Sequence, residues 1–478
     1  MLQIIMIVGY LLITAGVSVL MNKRAKSSTK SFYTANQGMS VIVVAALLFS
    51  EIIAGSGTIG NAANAFTGGI SNGVWANWGM SLGCILVIFT VTKFYRAMNE
   101  KLGVVTIPEA YAALFDNRVR ILMMFIVALV YIIFYSSQAV AASTILGPLL
   151  GLDETLTAWL ISLFFIIVAI VGGMHGAAWM SVLHAVVMCL GVTVVAFAAV
   201  RQVGGVSFLV ENTPEGTFDI IGDSPMNTLA NALGTAISFL ASANVTNVIF
   251  GARDVRTAKK GLVVAGLVVI PFALMPALTG IAASVCIPDI APNGALFQMA
   301  TSMGDLYSGI LSMAIIAAIW STAPTLLLVV AGTATKDFYV PFIRKGSATE
   351  KEQLRVSYVV IAVVGILGTW LGMHMGSILD NMLGAFQIRS VVGVVLIAAL
   401  AWPRVTADAA FWSMLGGGMV SAFWFFSGKP FGIAPLWPGT AVCLAILIPL
   451  TLRSKKTKSS GYILYQDAIH SMNHGRDY

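Results

Sequence analysis

Long apolar segments follow one another almost without interruption along the chain, joined by short polar loops. An α-helix needs about 20 apolar residues to cross the hydrocarbon core of a membrane, and windows of that length predict about 13 spans. The predicted spans are 2–21, 39–66, 71–92, 119–148, 155–173, 177–200, 227–250, 261–286, 305–333, 355–377, 379–402, 408–427 and 434–452. The sequence therefore predicts an all-α integral membrane protein.

Composition supports this prediction and excludes other classes of protein. Of the 478 residues, 58% are hydrophobic and 10% are charged, whereas a soluble chain has about 25% charged residues. The net charge of +7 does not indicate nucleic-acid binding, because the basic residues lie in short loops between spans. Cys84, Cys189, Cys286 and Cys443 have no metal-ligand spacing and imply no disulfide framework. The first apolar run, 2–21, lacks a cleavage site, so we expect it to be retained as a span.

The basic residues also predict the orientation of the chain. With the N-terminus outside, alternate loops lie in the cytoplasm, where short loops carry an excess of Lys and Arg. Of the 27 such residues, Arg201 and Lys429 fall on the outer side and Arg389 falls inside a span. The others fall in cytoplasmic segments: Lys23, Arg24, Lys26, Lys30, Lys93, Arg96, Lys101, Arg118, Arg120, Arg253, Arg256, Lys259, Lys260, Lys336, Arg344, Lys345, Lys351, Arg355, Arg404, Arg453, Lys455, Lys456, Lys458 and Arg476. We expect a multi-pass protein of the inner (plasma) membrane with a cytoplasmic C-terminus.

The segment 41–66 is long enough to span the membrane, yet its middle contains Glu51 and the glycines Gly55, Gly57 and Gly60. Glycine weakens a helix, and an interrupted helix in a membrane exposes carbonyl oxygens that can hold a cation. A glycine-rich face that packs closely on a neighbouring helix is the alternative. The carboxylate favours a functional site, because ionisable residues inside membranes are functional candidates by default.

A second weakened segment lies five helices further along the chain. With 41–66 counted as core helix 1, the span 227–250 becomes core helix 6, and it contains Ser238, Ser242, Asn244, Thr246 and Asn247. Two interrupted helices at this separation suit an inverted repeat of five plus five helices. The predicted division is 1–38 (extra helix and basic loop), 39–201 (first repeat), 202–226 (outer loop), 227–402 (second repeat), 403–452 (two further helices) and 453–478 (cytoplasmic tail).

Core helix 8, the span 305–333, places three small residues on one face. Ala318, Ser321 and Thr322 stand at i, i+3 and i+4. Pro324 cannot donate a backbone hydrogen bond, which frees a carbonyl about one turn earlier. Two hydroxyls beside a loosened carbonyl suit a small hard cation, and hydroxyls bonded back to their own helix are the alternative.

The chain resembles the sodium:solute symporter family, which includes sodium/proline, sodium/galactose and pantothenate symporters. The stretches that carry the resemblance are Gly55–Gly69, Thr106–Glu109, Ala317–Thr322 and Thr335–Tyr339. The resemblance implies a LeuT-type fold with the same number of helices and a sodium site between core helices 1 and 8. Carried over by position, that site uses the backbone carbonyls of Ser50, Ile53 and Ala318 and the hydroxyls of Ser321 and Thr322.

Two positions depart from the family's pattern. Where many relatives carry Asp in core helix 1, this chain has Ile52, and the acid is displaced to Glu51. Where many carry Asp after Trp in core helix 5, it has Trp179–Ser181, so the resemblance does not carry over a second sodium site. Glu51 and His184 could instead couple a proton, since His titrates near neutral pH. An ordinary interhelical hydrogen bond of His184 is the alternative.

Arg389 lies near the middle of the span 379–402. A buried guanidinium needs a partner, either Glu51 or a substrate carboxylate held by its bidentate fork. The helix that resumes near Ser56–Thr58 also suits an anionic group. We therefore expect a small carboxylate-bearing solute, an amino or organic acid. The substrate-binding candidates are Glu51, Ser56, Thr58, Asn61, Tyr135, Gln138, Ser238, Ser242, Gln387 and Arg389.

The resulting prediction is a secondary-active symporter that couples inward Na⁺ movement to uptake of this solute by alternating access. Na⁺ is the expected coupling ion, lipid and solute are the expected partners, nucleic acid is not, and one chain is expected to suffice. The alternatives are a proton-coupled or uncoupled transporter of the same fold that uses Glu51 and His184, a solute-sensing membrane protein, and a membrane-embedded enzyme. The sequence shows no nucleophile–base pair or Cys/His metal cluster, which disfavours the enzyme.

Overall fold

The computed structural model describes residues 2–25, 38–375, 378–454 and 458–474. The basic residues Lys26, Lys30, Lys455, Lys456 and Arg476 lie outside these ranges. The α-helices are α1 (Leu2–Ala25), α2 (Val41–Gly55), α3 (Asn61–Thr90), α4 (Thr92–Leu102), α5 (Ile107–Leu114), α6 (Asn117–Leu150), α7 (Glu154–Gln202), α8 (Val206–Asn212), α9 (Pro225–Leu240), α10 (Ala243–Gly251), α11 (Val255–Cys286), α12 (Ala295–Ser302), α13 (Asp305–Thr333), α14 (Glu350–His374), α15 (Ile378–Ala401), α16 (Ala407–Phe426), α17 (Leu436–Arg453) and α18 (Ser460–His474). A π-helical turn, Ser56–Gly60, joins α2 to α3, and a second, Ala334–Ile343, follows α13.

Ten of the described helical segments are long and apolar enough to cross a membrane, or eleven if the bent pair α9–α10 counts as one span. The predicted all-α membrane protein is thereby confirmed, while the exact number of spans and the sides of the termini stay predictions. The helix α7 runs through two predicted spans, 155–173 and 177–200. Its 49 residues contain two separate segments, Glu154–Val171 and Met180–Gln202, each long and apolar enough to cross a membrane, so α7 accounts for two spans.

The first interruption lies at Ala54, at the end of α2. Ala54 has φ 39° and ψ −178°, a left-handed backbone conformation that costs energy for a residue with a Cβ atom. The next residue must be glycine, since a Cβ atom on Gly55 would come within 2.5 Å of Ile319 Cγ1 on α13. The predicted break is therefore present, but its turning point is an alanine rather than one of the three glycines.

The helix α3 is bent near its first third. It runs from Asn61 to Thr90, and the backbone of Gly68 and Gly69 within it is not helical. Gly69 has φ 75°, and a Cβ atom there would lie 2.6 Å from Thr217 O in the outer loop. This bend coincides with the boundary that the sequence predicted between spans 39–66 and 71–92.

The second interruption lies between α9 and α10, which meet at an angle of 43°. Ser242 begins α10 as its N-cap, because its hydroxyl accepts a hydrogen bond from Val245 N at 3.3 Å. The helix α13 is almost wholly buried and contacts α2, α6 and α7. The two interruptions and the middle of α13 therefore surround one polar region. The division into two five-helix repeats stays a prediction.

Candidate functional site

The hydroxyl groups of Ser321 and Thr322 lie against carbonyl oxygens of α2 and α13. Thr322 Oγ1 is 2.9 Å from Ser50 O and 3.0 Å from Ala318 O. Ser321 Oγ is 2.8 Å from Ala318 O and 3.4 Å from Thr322 Oγ1. All four residues are buried. We call these two hydroxyls and two carbonyls the oxygen cage.

The oxygen cage has more acceptor contacts than protons. Thr322 has one hydroxyl proton for two carbonyl acceptors, so one of the two contacts always lacks a donor. Ile53, the remaining predicted ligand, is fully buried and directly precedes the backbone break at Ala54. An excess of neutral oxygen acceptors with no anionic group among them suits a bare monovalent cation.

A second polar group connects Glu51 to Arg389 through two hydroxyls. Ser242 Oγ donates to Glu51 Oε1 at 2.7 Å and lies 3.1 Å from Tyr131 OH. Because the single proton of Ser242 is given to Glu51, Tyr131 must donate to Ser242. Tyr131 OH in turn accepts from Arg389 Nη1 at 3.3 Å. We call Glu51, Ser242, Tyr131 and Arg389 the charged chain.

Arg389 is buried in this chain with one nitrogen unused. Its Nε donates to Ser238 Oγ at 2.7 Å, and its guanidinium carbon lies 4.9 Å from the centre of the Phe386 ring. Among the described residues, neither Arg389 Nη2 nor Glu51 Oε2 has a hydrogen-bond partner. The expected pairing of these two residues is thus indirect, through Ser242 and Tyr131. The sequence offered no signal for Tyr131, which resembles an ordinary core aromatic residue.

Cavities lie on both sides of this polar region. On one side, a cavity of ≈ 310 Å³ is lined by Ile59, Thr144 and Phe297 among others. On the other side, a cavity of ≈ 20 Å³ is lined by Glu51, Ser321, Thr322, Thr325 and residues of α10. This second cavity lies towards the end of the molecule that carries the basic loops, which we call the basic face.

Two of the motifs from the sequence meet on the basic face. Thr106 caps α5 by accepting from Glu109 N at 3.2 Å, and its hydroxyl is 3.0 Å from Asp337 Oδ1. Arg120 joins the same carboxylate, with Nε 2.9 Å from Asp337 Oδ1, and also donates to Lys336 O at 3.1 Å. The Thr106–Glu109 and Thr335–Tyr339 stretches are therefore in direct contact, which their separation in the sequence did not reveal.

Comparison with known proteins identifies the family of the chain. The sequence profile of the sodium:solute symporter family matches residues 32–417. The chain belongs to the sodium:solute symporter family. An uncharacterised symporter, YwcA of Bacillus subtilis (strain 168), is 25% identical over 430 residues, which cover 85% of this chain and 82% of that protein.

Solved structures show the fold of this sodium:solute symporter. A substrate-bound, outward-open Na⁺-coupled sialic acid symporter has a TM-score of 0.78 at 18% identity, with 98% of each chain covered. Mhp1, a nucleobase-cation-symport-1 family transporter, gives 0.58 at 16% identity in its closed conformation with bromovinylhydantoin bound, covering 91% of this chain and 98% of that one. The inward-facing conformation of Mhp1 has a TM-score of 0.57 at 14% identity, covering 91% of this chain and 96% of that one. The predicted LeuT-type fold is confirmed, and the chain is a membrane transporter of the symporter family rather than an enzyme.

Two of the predicted substrate residues of this symporter bond to the broken helix. Gln138 Oε1 accepts from Gly55 N at 2.9 Å, and Thr58 Oγ1 donates to Ala54 O at 2.8 Å. Gln387 Nε2 donates to Asn231 Oδ1 at 3.2 Å. Asn61 is fully buried, and among the described residues its amide has no hydrogen-bond partner. The side chain of Ser56 lies outside the described part of the chain.

Two further predicted residues have structural partners away from the charged chain. Tyr135 OH lies 2.9 Å from Ser162 Oγ on α7, so its polar end is used in helix packing. His184 bonds through Nδ1 to the hydroxyl of Tyr10 on α1. This contact is an interhelical hydrogen bond, the alternative considered for His184. Proton coupling through Glu51 and His184 stays a prediction.

Proposed function

We propose that the oxygen cage, together with the carbonyl of Ile53, is the site of the coupling sodium ion. The observation that carries the proposal is the contact from Thr322 Oγ1 on α13 to Ser50 O on α2. In the absence of an ion, the hydroxyl proton bridges the two helices. When Na⁺ binds, the hydroxyls turn their lone pairs to the ion, and the ion takes over the link.

This link explains how sodium would favour solute binding. A sodium ion that joins α2 to α13 fixes the backbone interruption at Ala54, next to the charged chain. A ligand that orders a site lowers the ordering cost of the second ligand, which appears as a higher affinity, and the coupling is reciprocal. Sodium-dependent affinity for the solute is the expected result.

The solute is proposed to carry a carboxylate that binds Arg389. The buried guanidinium has no hydrogen-bond acceptor at Nη2 within the described part of the chain, and a carboxylate supplies one at the geometry of the planar fork. With one Na⁺, one carboxylate, Glu51 and Arg389, the formal charges in the region sum to zero. A small organic acid with one carboxylate fits this balance, whereas the ammonium group of an amino acid would add one positive charge. The ≈ 310 Å³ cavity offers the solute a route from the side opposite the basic face.

Thermal unfolding of the purified protein in Na⁺, K⁺ or choline at matched ionic strength tests the ion site. A ligand that binds only the folded state raises stability with concentration, so we expect stabilisation by Na⁺ alone. Ser321→Ala should abolish this stabilisation and Na⁺-driven uptake. Ser312→Ala is the matched control, because Ser312 is buried on the same helix and bonds to Ser308 O at 2.7 Å. Equal sodium responses in Ser321→Ala and the control would remove the cage from the proposal.

A further inference from the structure

The ≈ 20 Å³ cavity beside the oxygen cage contains an unsatisfied anionic oxygen. Glu51 is 4% exposed, lines this cavity, and its Oε2 has no hydrogen-bond partner among the described residues. Arg389 is linked to Glu51 only through Tyr131 and Ser242, and this link ends at Glu51 Oε1. A buried carboxylate oxygen without a donor is costly unless it meets a cation or a hydrogen-bond donor.

The other walls of this cavity supply neutral oxygens. Ser321 and Thr322 line both the cavity and the cage, so the two spaces adjoin. Thr325 lies one turn further along α13, and its hydroxyl donates to Thr322 O at 2.6 Å, which leaves its lone pairs available. Asn244 and Asn247 of α10 complete the polar lining. The volume is enough for one water-sized particle such as a dehydrated Na⁺.

A third cavity continues the series towards the basic face. It also measures ≈ 20 Å³, shares Asn247 with the Glu51 cavity, and follows α13 from Leu328 to Thr333. Its far wall includes Thr106 and Lys336, which belong to the cluster around Asp337 and Arg120. The cage and the two small cavities therefore lie in a row along α13, and the row ends at the contact between the two motifs.

We propose that the Glu51 cavity is a second position for the transported sodium ion, occupied after the ion leaves the cage on its way to the basic face. Glu51 Oε2 is the charged ligand there, with the Thr325 hydroxyl and the amide oxygens of α10 beside it. The two positions are used one after the other, because a single ion keeps the charge balance with Arg389, Glu51 and the solute. This inference rests on the proposed sodium site and adds the release step.

The test compares two transport modes in proteoliposomes. Net uptake requires sodium release at the basic face, whereas solute exchange with saturating Na⁺ on both sides does not. Thr325→Val removes a neutral oxygen ligand of the second position and changes no charge, so it should slow net uptake severalfold. Exchange, the Na⁺:solute flux ratio and Na⁺-specific thermal stabilisation should be retained in this variant, because Thr325 lies outside the oxygen cage and the charged chain. Glu51→Gln should slow net uptake more, by about tenfold, and should also weaken exchange, because Glu51 belongs to the charged chain.

Each contrary result has a distinct meaning. Parallel loss of uptake and exchange in a Thr325→Val protein that still responds to Na⁺ would overturn the release position. A flux ratio that falls by one Na⁺ would show two simultaneous ions, which also contradicts sequential use. Proton movement that replaces Na⁺ movement in the wild type would overturn both proposals. Failure of Ser321→Ala to remove sodium stabilisation would reject the cage and with it the release step. Normal net uptake in Thr325→Val, with the Ser321→Ala response intact, would reject the release position alone.

Discussion

The oxygen cage and the charged chain are neighbouring regions that differ in how their buried polar groups are paired. In the cage, every group is neutral, and the hydroxyls bond to carbonyls within 3.0 Å. In the charged chain, a buried cation and a buried anion are separated by two hydroxyls, and each keeps one atom that has no hydrogen-bond partner among the described residues. A neutral cage without an ion costs little folding free energy. In the charged chain, charged atoms without partners are destabilising until a charged solute or an ion binds to them. In the proposed function, the first region selects the ion, and the second binds the solute and, through Glu51, the departing ion.

The largest expected effect is the removal of the Arg389 charge. Arg389→Ala leaves Glu51 buried without its counter-charge, which we expect to cost about 3–5 kcal/mol of stability and to abolish uptake. The double variant Arg389→Ala with Glu51→Gln should recover much of the thermal stability but no uptake. Thermal unfolding and solute uptake measure the two outcomes. A double variant no more stable than the single one would contradict the link through Ser242 and Tyr131.

The fork of Arg389 can be tested separately from its charge. Arg389→Lys keeps the charge and loses the planar fork, so the KM for solute should rise about tenfold while Na⁺-specific stabilisation remains. Arg96→Lys is the matched control, since Arg96 is also buried but donates to carbonyls of 250–253 on the basic face. Unchanged KM in Arg389→Lys would leave the proposed carboxylate without support.

The two tyrosines of α6 give a sharper and smaller contrast. Tyr131 belongs to the charged chain, whereas Tyr135, one turn later, bonds to Ser162. Removing either hydroxyl should cost about 1 kcal/mol of stability. Tyr131→Phe should also change the KM for solute, and Tyr135→Phe should not. A change of KM in both variants would return Tyr135 to the substrate site.

The smallest expected effect concerns the strained residue between the two regions. Ala54 has φ 39°, so Ala54→Gly should relieve about 1–2 kcal/mol of backbone strain. Part of that gain is offset because glycine makes the unfolded chain more flexible. Ala62→Gly on α3 is the control, since Ala62 is equally buried but lies within a helix, where glycine costs about 1 kcal/mol. Equal destabilisation of both variants would show that the Ala54 conformation carries no strain.

The sequence predicted much of the molecule because its signals are local. Apolar length located the helices, and glycine and serine located both interruptions. The i, i+3, i+4 spacing placed Ala318, Ser321 and Thr322 on one face, as the structure has them. The same local signals misplaced the turning point of α2, because packing against Ile319 and the Gln138 bond to Gly55 move it to Ala54.

The sequence by itself determined the class of protein, the apolar helices and the stock of oxygen and charged groups within them. Tertiary structure alone decided which groups meet: Ser242 with Glu51 across 191 residues, Arg389 with Tyr131 across 258, and Thr322 with Ser50 across 272. Tertiary structure also decided that Tyr135 bonds to Ser162 and that His184 bonds to Tyr10. The reason is that hydropathy and helical period are set within a few turns of chain, whereas these contacts depend on how each helix is rotated and packed against distant ones.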